Sequence, residues 1–160
     1  MPKLTSAEID EFLDEPGHLI RIGTVDASGM PRVVPLWFIR DGDDIVFTPR
    51  TASMVHVNLL RDPRVGYSID DASAPYRKLT AQGTAVTRFL PGHDDEWRDL
   101  YRRIAERYVA PQGAAAYIGA TIAEPRALYA EPLGAPSAVQ SWRMPVTGED
   151  GRGIWAERYY

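Results

Sequence analysis

A six-residue segment of the chain concentrates side chains that favour binding of an anion. Thr48, Arg50, Thr51 and Ser53 lie directly before an apolar pattern at helical spacing, which predicts a short helix. Hydroxyl groups, a guanidinium and the free N–H groups of a helix N-terminus all favour a negatively charged ligand. In the alternative interpretation, Thr51 or Ser53 only caps the helix and Arg50 is solvated. The residue types alone are compatible with both interpretations.

The elements that would position this segment are a β-hairpin and the strands around it. The run RVVPLWFIR at 32–40 is apolar on both of its alternating faces, which predicts a buried strand. Asp41-Gly42 then favours a hairpin turn, after which the extended pattern resumes. Further strands are predicted within HLIRIGTV (18–25), RVGYSID (64–70), KLTAQGTAVTRFL (78–90) and 126–144. Gly83 is expected to permit a bulge or the close approach of a ligand or another backbone.

Two helices are predicted to flank these strands. The first spans about residues 5–14, where Thr5 and Glu8 have the spacing of a capping box. The second spans about residues 94–109 and carries an aromatic stripe, which predicts a core or dimer contact. PQGAA, directly after it, is predicted to end the helical pattern. The aromatic C-terminal segment 147–160 is expected to cover a neighbouring protomer or to pack on its own chain.

Bulk composition limits the classes of function. With 160 residues and 44% hydrophobic content, the chain is predicted to form a single domain over residues 1–160. A net charge of -4 gives no electrostatic reason to expect nucleic acid or an anionic membrane as a partner. The absence of cysteine excludes disulfides and thiolate chemistry. The N-terminus lacks the apolar core of a signal peptide, so a cytoplasmic location is expected.

The motifs support neither metal binding nor hydrolysis. His18, His56 and His93 have no metal-ligand spacing, so each is predicted to be structural or exposed, and no metal site is expected. A serine hydrolase needs a strained nucleophile turn such as G-x-S-x-G, which does not occur in the sequence. Any redox chemistry is therefore expected to depend on a bound cofactor.

Four segments carry a resemblance to a known family. They are HLIRIGTVDASGMPRVVPLWF, DGDDIVFT, NLLRDPRVGYSI and LTAQGTAV. In this order and spacing, from about His18 to Arg88, they resemble the flavin- and deazaflavin-binding split-barrel superfamily, the pyridoxamine 5'-phosphate oxidase-like proteins. The resemblance implies a mainly β (α+β) fold, an antiparallel six-stranded split β-barrel with Greek-key topology and flanking helices. It also implies a homodimer, and a split barrel with an uncovered edge has a physical reason to pair.

The resemblance further implies a cofactor site. FMN, or alternatively the deazaflavin coenzyme F-420, would lie at the dimer interface and exchange a hydride with a small organic substrate. The chain would then be an oxidoreductase in which no side chain need be a general acid or base. Matched position by position, the ring would meet Pro35, Leu36, Trp37 and Phe38, the phosphate would meet Thr48, Arg50, Thr51 and Ser53, and the partner chain would supply Gln82, Gly83, Trp142 and Arg143.

The chain departs from the family pattern at the phosphate site. Many relatives carry S-x-K and, two residues later, an arginine just before Asn-Leu. Here those positions read Ser53-Met54-Val55 and then Val57, so both cations are replaced by valine. Arg50 or Arg77 would have to supply the missing charged hydrogen bonds to the same phosphate.

Two other classes of function agree with the same sequence. In the first, the barrel binds a flavin, a haem or another planar ligand without catalysis, and a haem would require His56 or His18 as its axial ligand. In the second, the fold has lost its cofactor and serves as an interaction module, which the two valines would explain. Because one fold hosts many functions, the residues of the pocket must decide among them.

Overall fold

Two antiparallel β-sheets and four helices form the described part of the chain. The computed structural model describes residues 2–133 and 139–149. In chain order, the elements are α1 (Ser6–Asp14), β1 (Ile20–Val25), β2 (Pro31–Leu36), β3 (Ile39–Asp41), β4 (Asp44–Phe47), α2 (Met54–Arg61), β5 (Arg64–Asp70), β6 (Lys78–Thr84), β7 (Val86–Phe89), α3 (Asp94–Tyr108), α4 (Pro111–Thr121), β8 (Leu128–Pro132) and β9 (Val139–Trp142). The aromatic residues of the C-terminal segment, for which a covering role is predicted, lie outside the described residues.

The two sheets are joined by strands that bend from one sheet into the other. One sheet has the order β2-β1-β5-β6-β9, and the other has the order β3-β4-β8-β7. The chain passes from β2 into β3 through Trp37 and Phe38, and from β6 into β7 through Ala85. Counting each bent pair as one strand gives a circuit of six antiparallel strands, with β9 added beside β6. The predicted mainly β fold, an antiparallel split barrel with flanking helices, is confirmed.

Large apolar side chains fill the space between the sheets. Ile20, Ile45 and Phe47 are fully buried there, together with Phe12 of α1. The hairpin predicted around Asp41-Gly42 is formed by β3 and β4. Gly42 has a φ of 65°, a left-handed conformation that glycine adopts without a steric penalty.

The segment 32–40 is not the single buried strand that its alternation predicts. It divides at Trp37 and Phe38, and β2 is mostly exposed, with Val33 at 65% exposure. The reason is topological, because β2 is an edge strand of its sheet and only its inner face packs on the core of the same chain. The predicted strand 78–90 is likewise divided at Ala85, where the chain changes sheets.

The segment after α3 forms a helix, whereas its sequence pattern predicts that the helical pattern ends there. Pro111 occupies the first turn of α4, where its missing N–H sacrifices no helical hydrogen bond. Gly113 allows close packing on the end of α3, because a Cβ there would lie 2.7 Å from Val109 Cγ1. The aromatic stripe of α3 belongs to the core, since Trp97 and Tyr101 pack against the four-stranded sheet.

Reciprocal hydrogen bonds between Thr5 and Glu8 cap the start of α1. Thr5 Oγ1 accepts a hydrogen bond from the backbone N–H of Glu8 at 3.3 Å, and Glu8 Oε2 accepts one from the backbone N–H of Thr5 at 2.7 Å. The predicted capping box is therefore present at the start of α1. Within 2–133 and 139–149, no helix has the length and apolar character needed to cross a membrane.

Candidate functional site

The segment predicted to bind an anion leads into α2, and one of its side chains caps that helix. Ser53 Oγ accepts a hydrogen bond from the backbone N–H of His56 at 3.3 Å, so Ser53 has the capping role of the alternative interpretation. Thr51 donates its backbone N–H to the carbonyl oxygen of Pro125 at 3.0 Å. These bonds fix the backbone on the C-terminal side of Arg50.

Arg50 is exposed beside this helix start. Its backbone pairs with that of Arg126 in an isolated β-bridge, but its guanidinium has no hydrogen-bond or ion-pair partner within the described part of the chain. Val55 is buried in the core, whereas Val57 is exposed. Position 55 therefore faces the interior, and Arg50 is a cation that this segment presents to solvent.

Arg77 is occupied elsewhere and does not replace the missing cations. Its two terminal nitrogens donate to the carboxylate of Glu15 at 2.8 and 2.6 Å, and its Nε donates to Asp71 at 2.6 Å. The hydrogen bonds from Arg77 lower the pKa of Glu15 to about 2. Ligand atoms of Glu15, His18 and Asp71 lie within 4.8 Å of one another, a spacing compatible with a metal ion. Because Arg77 already neutralises both carboxylates, this cluster is better described as an ion-pair network.

Four of the predicted ring and phosphate contacts line one cavity between the barrel and the helices α3 and α4. The cavity has a volume of about 190 Å³. Its lining residues are Pro35, Leu36, Trp37, Thr48, Tyr101, Ile104, Tyr117 and Arg126. Trp37 stacks on Tyr108 with 5.1 Å between ring centroids and leans against Tyr117 at 5.0 Å. Phe38, in contrast, is fully buried in the core.

Arg126 is the buried cation of this cavity, and it is not among the site residues predicted from the sequence. Its side chain is 7% exposed, Nη1 donates to the carbonyl oxygen of Thr48 at 3.1 Å, and the guanidinium carbon lies 4.7 Å from the centre of the Tyr101 ring. Among the described residues, Nε and Nη2 of Arg126 are buried without a hydrogen-bond partner, as is Thr48 Oγ1. The sequence carries no signal for this site, because Thr48 and Arg126 are 78 positions apart.

Gln82 and Gly83 lie elsewhere, in a groove across the five-stranded sheet. The groove has a volume of about 680 Å³ and is formed mainly by β1, β5 and β6. Gly23 and Gly66, which pair across β1 and β5, leave part of it without side chains. The groove shares no lining residue with the cavity between the barrel and the helices α3 and α4. The two sets of predicted contact residues therefore line different surfaces of the same chain.

The space that a side chain at position 83 would need is occupied by Glu131, while Gly83 itself lines the groove. A Cβ at this position would lie 1.7 Å from Oε1 of Glu131. Glu131 is 3% exposed, and burial, reinforced by the nearby Asp44, raises the pKa of its carboxyl group to about 7. Burial and the charge of Glu131 also raise the pKa of Tyr67. The barrel thus encloses an acid and a phenol beside the point where β6 passes into β7.

Trp142 and Arg143, the other predicted contacts from a partner chain, are engaged within their own chain. Trp142 is buried, and Lys78 Nζ lies 5.5 Å from its ring centre. Arg143 donates to Glu149 through both terminal nitrogens at 2.8 Å, and its Nε lies 3.4 Å from Glu8. The hydrogen bond with Glu149 raises the pKa of Arg143. A cofactor contact from Arg143 would have to displace these carboxylates.

Each of the two histidines considered as an axial haem ligand has one ring nitrogen next to a polar partner. His56 is buried on α2, with Nδ1 at 2.9 Å from the Tyr129 hydroxyl oxygen. Desolvation lowers its pKa, which favours the neutral ring at pH 7. His18 lies in the ion-pair network, with Nε2 at 3.2 Å from Glu15.

Six antiparallel strands form a circuit in which two members bend from one sheet into the other. A polar loop, residues 48–53, and the helix α2 follow the third of these strands along the chain. This arrangement defines the chain as a split-barrel protein. Residues 5–129 match the family model described as pyridoxamine 5'-phosphate oxidase, and the chain belongs to this family.

Solved structures share this architecture. An F-420 reductase is 25% identical, with a TM-score of 0.60, covering 79% of this chain and 93% of that chain. A conserved hypothetical protein from Mycobacterium tuberculosis is 20% identical, with a TM-score of 0.67, covering 93% and 94%. The haem-storage protein HutZ from Vibrio cholerae is 19% identical, with a TM-score of 0.61, covering 79% and 89%. No curated protein matches the chain.

Proposed function

We propose that the chain is an oxidoreductase that binds FMN or F-420 as a homodimer and exchanges a hydride with a small organic substrate. The observation that carries this proposal is the unpartnered guanidinium of Arg50 beside the start of α2. Membership of the family supports a flavin-type cofactor. The likeness to an F-420 reductase over 93% of that chain supports F-420 as the alternative to FMN.

The residues at the helix start fit a phosphate. Arg50 is exposed and offers several N–H donors, and the first N–H groups of α2 have no partners within the helix. Thr51 lies between them and is half-buried. The valines at 55 and 57 leave Arg50 to supply the positive charge here, so its removal is expected to have a large effect on affinity.

The apolar surfaces near this loop fit a planar ring and a second copy of the chain. The face of α2 away from the core exposes an apolar row of Met54, Val57 and Leu60. Met30, directly before β2, and Val33 of β2 are also exposed, and the groove over the five-stranded sheet is open. Contiguous exposed apolar surface marks interaction sites, and the row on α2 is of this kind. When bound, the cofactor supplies the hydride chemistry, while this chain holds its phosphate and excludes water from its ring.

Arg50→Ala is expected to weaken binding of the preferred cofactor about tenfold or more, because it removes charged hydrogen bonds worth roughly 1.5–3 kcal/mol. Purified protein is titrated separately with FMN, F-420 and haem, and binding is followed by fluorescence quenching and absorbance. The cofactor of the loaded protein is then reduced chemically under anaerobic conditions, small planar electron acceptors are added, and reoxidation of the reduced cofactor is followed by its absorbance.

Arg98→Ala is the matched control, since Arg98 is an exposed arginine of α3 paired with Asp95 and outside both cavities. It should bind the cofactor as the unchanged chain does. The proposal is wrong if neither FMN nor F-420 binds, or if the two variants weaken binding equally. Binding of haem alone, or of a flavin without any turnover, would favour the non-catalytic binder.

Val33→Glu is expected to convert the dimer to a monomer, because it places a charge on the exposed edge strand β2. Light scattering after size-exclusion chromatography should give twice 17.8 kDa for the unchanged chain and 17.8 kDa for the variant.

The control is Val86→Glu, a valine of comparable exposure on β7, an edge strand of the other sheet. It should leave the dimer intact. A monomeric unchanged chain would contradict the dimer proposal, and dissociation by Val86→Glu alone would move the interface to the other sheet.

A further inference from the structure

We infer that the cavity between the barrel and the helices α3 and α4 is a binding site for a small organic carboxylate, held by Arg126. The inference is separate from phosphate binding at Arg50, which does not line this cavity, although the predicted cofactor contacts Pro35, Leu36, Trp37 and Thr48 do line it. At about 190 Å³, the cavity is also smaller than the roughly 300–1,000 Å³ of sites for drug-sized ligands. A whole flavin nucleotide does not fit within it.

The first observation is a buried positive charge without an acid. Arg126 is the buried arginine of the described ranges, and no carboxylate there forms an ion pair with it. The half-buried arginines Arg77 and Arg88, in contrast, are paired with acids, Arg77 with Glu15 and Asp71 and Arg88 with Asp41 and Asp44. A buried charge is costly unless it is paired and fully hydrogen-bonded. The contact with the Tyr101 ring offsets only part of this cost.

The second observation is that the unsatisfied groups around the cavity can all donate a hydrogen bond. They are Nε and Nη2 of Arg126 and Oγ1 of Thr48. Thr48 is held next to the guanidinium because its carbonyl oxygen accepts from Nη1. The Tyr101 hydroxyl is already engaged with Thr121 at 2.6 Å. Donors without acceptors fit a ligand with acceptor oxygens, and a guanidinium fork matches the two oxygens of a carboxylate.

The remaining walls define the body of the ligand. Trp37, Tyr101 and Tyr117 present aromatic surface to the cavity, and Ile104 adds an aliphatic wall. Trp37 is held in place by its parallel stack on Tyr108. Aromatic walls with a few convergent polar groups are typical of small-molecule sites. The site therefore favours a carboxylate on a small planar or apolar body over a hydrophilic anion.

Benzoate is the probe for this inference, and benzamide is its neutral isostere. Calorimetric and tryptophan-fluorescence titrations of the cofactor-free chain should show saturable binding of benzoate and at least tenfold weaker binding of benzamide. The same preference should appear as a rise in Tm with benzoate but not with benzamide. Inorganic phosphate is titrated in parallel and should bind at least tenfold more weakly than benzoate.

Variants assign the contact. Arg126→Gln should weaken benzoate at least tenfold, Arg126→Lys should retain part of the affinity, and Thr48→Val should weaken it severalfold. Arg98→Ala should bind benzoate as the unchanged chain does, and circular dichroism checks that each variant is folded. If Arg126→Gln does not fold, the comparison of benzoate with benzamide on the unchanged chain decides. Equal binding of the two probes, no binding of benzoate, or a preference for phosphate would each overturn the inference.

Discussion

The free energy of unfolding of the unchanged chain is expected to fall as the pH rises from 5 to 8, because Glu131 is buried. Glu131→Gln is expected to abolish this decrease. Glu131 is 3% exposed, and burial raises the pKa of its carboxyl group to about 7, from an ordinary value of 4.5. Between these values, the unfolded chain has released the proton while the folded chain still holds it. Raising the pH therefore lowers the free energy of unfolding, by about 2–3 kcal/mol over this range. Glutamine has nearly the same shape and does not titrate.

The measurement is urea unfolding of both proteins at pH 5 and pH 8. The advantage of Glu131→Gln should be about 2–3 kcal/mol greater at pH 8 than at pH 5. The comparison must be a difference between the two proteins, because His56 acts in the opposite direction: its lowered pKa makes stability fall as the pH drops through its titration range. Glu124→Gln, at an exposed position, should show no such change. An equal offset at both pH values would mean that Glu131 is already charged in the folded chain.

Local sequence patterns predict the strands and the hairpin of the fold. They do not predict the points at which the chain passes from one sheet into the other. Alternation and the Asp41-Gly42 turn are properties of neighbouring residues, so they indicate strands and a hairpin directly. Alternation continues unbroken through Trp37 and Phe38, however, although the chain leaves one sheet there and enters the other. Which strand lies at an edge depends on pairings far apart in sequence. For that reason the exposure of β2 was not predictable.

The sequence does not predict the helix α4, because proline and glycine in this segment indicate the end of a helix. Here Pro111 lies in the first turn, where it is well tolerated, and Gly113 makes room for Val109. Both facts depend on the packing of α4 against the end of α3, which no window of the sequence contains.

The candidate site likewise has one part that the sequence predicts and one part that it does not. The polar loop before α2 is contiguous in sequence, so Thr48, Arg50, Thr51 and Ser53 could be selected together. Arg126 joins Thr48 only through a contact across 78 positions. Glu131 likewise reaches Gly83 across the barrel. Buried charged groups of this kind are defined by the enclosure around them, and a sequence does not show enclosure.

Gly83→Ala is expected to lower the free energy of unfolding by about 2–3 kcal/mol, near the upper end of the range for overpacking. The added methyl group would lie 1.7 Å from Glu131 Oε1 and 2.8 Å from its carboxyl carbon. To avoid the added methyl group, the carboxyl group would have to leave the interior between the two sheets, in which it is buried. Urea unfolding at pH 5, where Glu131 is protonated in the folded chain, isolates this steric effect from the titration.

A double-mutant cycle identifies the cause of that loss. In a Glu131→Ala background the clash is absent, so Gly83→Ala should cost about 1–2 kcal/mol less there than in the unchanged chain. Gly119→Ala is the matched control, because nothing lies within 4 Å of its added methyl group and alanine favours the helix. It should be neutral or slightly stabilising. Additive effects of Gly83→Ala and Glu131→Ala would show that position 83 is restricted by its backbone alone. Strong coupling would instead show that this glycine is required because the carboxyl group of Glu131 occupies the space that a side chain at position 83 would need.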